Sequence, residues 1–197
     1  MILAVALLCA AGDAWLPPSL SAGASLVSGV RSLLGLRAAD VAAGALWQPF
    51  TYWLVHGNLL HLAVNVLALA LTGRALLPVL GRFRLAVLLA EGALGGSVGF
   101  LLSLLFDPRL ALGTVCLGAS GMVAALLGAA SLWDPRARVT LIVGVLPLRV
   151  PAWAVGAAVV AGIACEAVFL PYAAAYGAHA GGLLSGCIAA LLWRARA

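Results

Sequence analysis

The sequence contains no lysine; all eleven of its basic side chains are arginine. Charged residues of either sign occupy only 9% of its 197 positions, where a soluble domain carries about a quarter. That scarcity excludes a soluble globular chain. The net charge of +5 is not gathered into the basic patch that a nucleic-acid surface needs. No nucleic-acid partner is therefore expected, and the arginines read as orientation signals for a membrane protein. Cysteine is sparse as well: Cys9, Cys116, Cys165 and Cys187 stand singly in apolar surroundings with no Cys-x-x-Cys pair. This excludes a disulfide framework and a zinc site and leaves four small buried hydrophobes. No histidine is followed by glutamate, so the His-Glu-x-x-His zinc motif is missing. Asp13, Asp40, Asp107 and Asp134 all fall at span ends or in loops, which removes a pair of membrane-embedded aspartates sharing one site. The absence of lysine removes a Ser–Lys dyad. No internal repeat or low-complexity linker divides the chain.

What remains is apolar: 65% of the residues are hydrophobic. A helix needs about 20 such residues to cross the hydrocarbon layer, and the apolar blocks fall at 2–15, 59–80, 85–106, 120–133, 152–170 and 178–193. We read them as six transmembrane helices in one all-α membrane domain covering 1–197. The first block is short, but Asp13 and Trp15 supply no small-residue cleavage site and a basic start is lacking, so it reads as a span and not a signal peptide. Residues 16–58 form a long first loop whose closing aromatics, Trp47, Phe50, Tyr52 and Trp53, suit the membrane–water boundary. The apolar piece at 139–150 is short and interrupted by Pro147; an interfacial or re-entrant turn is expected there, not a seventh helix. With the amino terminus in the cytoplasm, Arg74, Arg82, Arg84, Arg136, Arg138, Arg149, Arg194 and Arg196 lie inside and only Arg31, Arg37 and Arg109 outside. The positive-inside rule thus favours cytoplasmic placement of both termini.

In that orientation the second, fourth and sixth spans all run inward from the extracytoplasmic side, and each opens with costly polar groups. The second carries His56, Asn58, His61 and Asn65, the fourth Ser120, the sixth His179. Each has an ordinary explanation. A serine can bond back to its own helix, a histidine at a helix start can bond backbone near the headgroups, and His61 with Asn65 can be a satisfied interhelical pair. Their shared depth is more informative, because polar residues within a membrane helix usually face the bundle interior. Gly182 and Gly186 make a small-xxx-small stripe on the sixth span, and Gly121 with Gly128 offers a matching thin surface on the fourth. Two backbones that approach this closely can bring a short hydroxyl and an imidazole within hydrogen-bond reach, with His179 as general base to Ser120. His61 and Asn65, four apart on one helical face, are candidate donors to an oxyanion, joined by the backbone N–H of Ser120. His56 and Asn58 read as loop residues, His56 as a helper in holding that loop.

Taken together, His56-x4-His61-x3-Asn65, Gly118-Ala119-Ser120-Gly121 with Gly128, and Ala178-His179-x2-Gly182-x3-Gly186 resemble the rhomboid family of intramembrane serine proteases, from about Trp47 to Leu192. The resemblance implies a six-helix core with a Ser–His dyad below the membrane surface. Ser120 would be the nucleophile, His179 the base, and His61 and Asn65 the oxyanion donors. It further implies a partly embedded first loop, a side gate beside the fifth span, no cofactor, and single-span membrane proteins as substrates, cut where helix-weakening and small residues let the chain unwind. The location implied is a bacterial cytoplasmic membrane, with the site open to the extracytoplasmic side. Three positions depart from the family's common pattern. The aromatic four residues after the nucleophile is Ala124 here, the acidic residue twelve after the asparagine is Leu77, and the first-loop Trp–Arg pair reads Trp47-Gln48. They bear on the orientation of His179 and on the anchoring of the loop. Glu91 and Glu166, inside spans, are expected to be structural groups neutralised by a hydrogen bond or an arginine. Competing readings are processing of carboxy-terminal sorting tails by the rhombosortase branch, a histidine cluster gathering a metal ion for binding or transport, and a silent protein that binds transmembrane helices without cutting them.

Overall fold

The structure is a computed structural model that describes residues 29–143, 146–169 and 175–195; the expected first span, 2–15, lies outside the described residues. The chain is mostly helical. In order come β1 (Leu36–Arg37), α1 (Ala38–Ala42), α2 (Gln48–Thr51), a 3-10 turn at Tyr52–Leu54, α3 (Leu59–Phe106), β2 (Val115–Cys116), α4 (Ser120–Trp133), β3 (Arg138–Val143), β4 (Leu146–Pro151), α5 (Ala152–Phe169) and α6 (Ala175–Arg194). By length and composition α3, α5 and α6 are able to cross a membrane, and α4 is a shorter apolar helix. Large apolar side chains such as Leu60, Phe83, Leu105 and Phe106 point outward, as a lipid-facing surface allows. The closest helix contacts are made by small residues, beside a buried cluster of Leu76, Leu80, Leu88 and Leu126.

Helix α3 has 48 residues and, if straight, would be about 72 Å long, more than twice the roughly 30 Å of hydrocarbon. It is broken at Gly81, where φ is 74° and ψ 168°, three residues after Pro78. Leu69 from the first half and Leu89 from the second pack on the same cluster of Ala93, Ala119 and Met122, so the halves run back alongside each other. The expected blocks 59–80 and 85–106 are these two halves. Nothing lies within 4 Å of a Cβ built on Gly81; only the backbone conformation requires glycine there. Gly81→Ala is expected to lower stability by about 1–2 kcal/mol, read as a fall in thermal midpoint in detergent, and an unchanged midpoint would show that the bend does not depend on glycine.

Helix α4 is the centre of the bundle and packs against α3, α5 and α6. It buries Gly121, Met122, Ala124, Ala125, Leu126, Gly128, Ala129 and Ser131. Helix α5 is held most loosely, burying only Ala152 and Val155. Among its described residues, segment 139–150 forms no helix. Strands β3 and β4 pair antiparallel, from Arg138 opposite Pro151 to Val143 opposite Leu146, a form that suits a stretch rich in β-branched residues and closed to helix by Pro147.

The first loop is anchored by contacts that an apolar pattern does not announce. Leu36 and Arg37 of β1 pair with Cys116 and Val115 of β2, which ties the loop to the segment just before Ser120. Gln48, 1% exposed, accepts from the Arg37 N–H at 3.0 Å and donates to Ser32 O at 3.2 Å and to Asp40 Oδ2 at 3.1 Å. The Trp47 indole donates to Leu33 O at 2.8 Å. The Trp47-Gln48 pair therefore fastens the loop without an arginine at its second position.

Candidate active site

The site starts at a turn that only glycine can make. Gly118 has φ 102°, and a Cβ there would lie 2.8 Å from His61 Nε2, so both the backbone sign and the space for an imidazole demand hydrogen at this position. Its N–H donates to Tyr52 O at 3.1 Å, and the next, that of Ala119, donates to His56 Nε2 at 3.3 Å. His56 is 3% exposed. Burial and the neighbouring His61 push its pKa down to about 4, which keeps the ring neutral and able to accept. Arg31 donates to Gly57 O at 2.7 Å and so pins the strip that carries His56. His56 thus holds the turn that leads into Ser120.

Ser120 is the first residue of α4, so its amide belongs to the first-turn N–H groups that have no carbonyl in their own helix. Across from it α6 approaches on glycine. A Cβ on Gly182 would run into the Gly121 carbonyl oxygen, and one on Gly186 into that of Ala125. His179 sits one turn before Gly182, and its Nε2 lies 2.7 Å from Ser120 Oγ. The other ring nitrogen, Nδ1, lies 2.8 Å from Glu166 Oε2 on α5.

Asn58 caps α3 by accepting from the His61 N–H at 2.8 Å, which places His61 in the first turn. Its Nδ1 accepts from the Gly57 N–H at 3.4 Å, so the ring proton sits on Nε2, the nitrogen facing the Gly118 turn. Asn65, 4% exposed, spends one amide hydrogen on His61 O at 2.8 Å and keeps a second. The His56 and His61 rings meet edge to face, 5.1 Å between centroids. The structure therefore gathers Ser120, His179, His61 and His56 at one end of the bundle.

Of the two in-span acids, one departs from the expectation of a hydrogen bond or an arginine and the other meets it. Glu91 Oε2 is buried and has no hydrogen-bond partner among the described residues, so neither a bond nor an arginine neutralises that oxygen. Glu166 does have a partner, and it is the imidazole of His179. Nothing in the spacing of residues 166 and 179 announces this, because they belong to different helices. A second polar clamp is likewise not announced by the sequence. Asp107 takes two hydrogen bonds from the Arg109 side chain, at 2.8 and 2.7 Å, and one from the Tyr176 hydroxyl at 2.7 Å. These partners hold its carboxyl well below the usual carboxylate range. Arg109 also donates to Ala167 O at 2.7 Å, so the ends of α3, α5 and α6 are joined beside the site. Among the described residues no three His, Cys, Asp or Glu side chains are placed to hold a metal ion.

Fold and site together define a helical integral membrane protein in which a serine and a histidine from different helices share a hydrogen bond near one end of the bundle. The model of the rhomboid domain matches residues 43–196, and the chain belongs to the rhomboid family, a family of intramembrane serine proteases. A search of curated proteins gave no match.

Proposed function

We propose that this chain is an intramembrane serine endopeptidase in which Ser120 is the nucleophile and His179 the base. The observation that carries the reading is the 2.7 Å contact between Ser120 Oγ and His179 Nε2, made by two helices whose backbones meet on glycine. Nε2 takes the hydroxyl proton as Oγ adds to the scissile carbonyl. The oxyanion that forms faces the Ser120 N–H, the Nε2–H of His61 and the spare amide hydrogen of Asn65. The proton on Nε2 then passes to the leaving amine, and water releases the acyl group by the same steps in reverse.

The six-span arrangement with both termini in the cytoplasm and one domain over 1–197 is part of the proposal. It is supported by the arginine distribution and by Arg84, stacked 5.9 Å from the Trp193 ring at the end of the bundle away from Ser120. Helix α4, with 14 residues, is about 21 Å long, shorter than the hydrocarbon thickness. Ser120 at its start would therefore lie below the extracytoplasmic surface, reached by water from that side in a bacterial cytoplasmic membrane. Substrates would be single-span membrane proteins, cut where their helix unwinds.

A fluorophosphonate should label the purified protein on Ser120, located by mass spectrometry of the adduct. Labelling elsewhere, or activity lost to a chelator but not to the phosphonate, would favour a metal-binding histidine cluster. His61→Ala and Asn65→Ala are each expected to lower kcat by about 10²–10³-fold with KM little changed. A loss confined to KM would remove them from the oxyanion site.

A further inference from the structure

We propose that Glu166 is the third member of the hydrolytic relay, a positioning residue that sets the tautomer and the angle of the His179 ring. The inference rests on reading Ser120 and His179 as nucleophile and base.

Both ring nitrogens of His179 are engaged, Nε2 with Ser120 Oγ at 2.7 Å and Nδ1 with Glu166 Oε2 at 2.8 Å. A neutral imidazole carries one ring proton, and a carboxylate can only accept. The proton therefore sits on Nδ1, and the lone pair on Nε2 faces the serine hydroxyl. That is the tautomer a general base needs, and the opposite one would put a hydrogen where the serine proton has to go. Packing does not impose the choice. No aromatic ring stacks on His179 among the described residues, and the residue one turn after Ser120 is Ala124, too small to clamp it. When Nε2 takes the serine proton, the imidazolium is stabilised by the carboxylate beside it, and the Nδ1 proton stays on nitrogen throughout.

The placement also argues against a bond made only for structure. Helix α5 buries two residues, and one of its few polar ties to the rest of the bundle ends on the ring that touches Ser120. The side chains of His179 and Glu166 are 20% and 28% exposed, so neither is sealed inside the bundle.

The test is Glu166→Gln in the full-length protein, assayed on a transmembrane peptide in detergent. Glutamine keeps the size but carries no charge, and its amide can meet Nδ1 either as acceptor or as donor, so the ring proton is no longer fixed on Nδ1 and the imidazolium loses its carboxylate. We expect kcat to fall about 10²–10⁴-fold with KM within a factor of about two, and Glu166→Asp to recover part of the loss. Nitrogen-15 spectra of labelled histidine should show the His179 proton on Nδ1 in the native protein and a share of it shifted to Nε2 in the glutamine variant. A Glu166→Gln protein with native kcat, or one whose only change is a lower thermal midpoint, overturns the proposal. Should the glutamine variant not fold, the Asp variant and the native spectrum decide: a kcat below native with KM unchanged and a His179 proton held on Nδ1 support the proposal, whereas a proton on Nε2 in the native protein, or an Asp variant whose only change is a lower thermal midpoint, refutes it. Ser120→Ala, run in parallel, separates the two readings. If it is inert while Glu166→Gln is fully active, the relay fails and the Ser–His pair stands; if Ser120→Ala still cleaves, the underlying reading fails.

Discussion

Ser120→Ala is expected to abolish peptide hydrolysis and phosphonate labelling, a fall of about 10⁴–10⁶ in kcat, and His179→Ala is expected to do the same. The magnitude follows from the two groups acting as one unit: without the hydroxyl there is no nucleophile, and without Nε2 the hydroxyl keeps its proton. Folding should survive the serine change. His179 stays tethered to Glu166 at 2.8 Å, and losing one partly exposed hydrogen bond costs about 1 kcal/mol. The measurement is product formation from a transmembrane substrate by protein whose thermal midpoint matches the native one. Cleavage persisting in either variant would transfer the chemistry to other residues.

The second large effect concerns no reacting atom. Gly182→Ala is expected to lower kcat by about 100-fold and to cost about 1–3 kcal/mol in stability. A Cβ at that position would meet the Gly121 carbonyl oxygen and lie 2.8 Å from its carbon and 2.9 Å from its Cα. All three atoms are backbone, so no rotamer relieves the clash and α4 must move away from α6. Ser120 precedes Gly121 and His179 precedes Gly182 by one turn, so the shift is passed directly to a contact that starts at 2.7 Å and is lost beyond about 3.2 Å. Gly186→Ala, which meets the Ala125 carbonyl one turn further on, should act similarly. Gly73→Ala provides the contrast, since nothing lies within 4 Å of its Cβ and helix propensity alone should raise stability by about 1 kcal/mol. Equal activity in the Gly73 and Gly182 variants would show that the thin interface does not control the site.

These expectations show how unevenly the molecule is written into its sequence. Ser120, His179, His61 and Asn65 stand out because a polar side chain in an apolar helix is expensive and needs a reason. Helices α3, α4, α5 and α6 are visible as runs of hydrophobic residues, and the break at Gly81 falls where Pro78, Gly81 and two arginines interrupt one. The hairpin at 138–151 is less visible, because a short apolar stretch with β-branched residues fits an interfacial turn as well as a strand pair. In the sequence Gln48 stands in place of an arginine anchor, yet three hydrogen bonds to the loop around it make it an anchor of another kind.

By itself the sequence determined that this is a membrane protein, roughly where its helices lie, and which polar groups need explaining, because hydropathy and the cost of burying polarity act locally along the chain. Only the tertiary structure decided what each of those groups touches. The carboxylate of Glu166 reaches the ring of His179 from another helix, and His56 braces the Ala119 amide across 63 residues. Such contacts depend on how closely the glycine faces let the helices meet, a property of the assembled bundle.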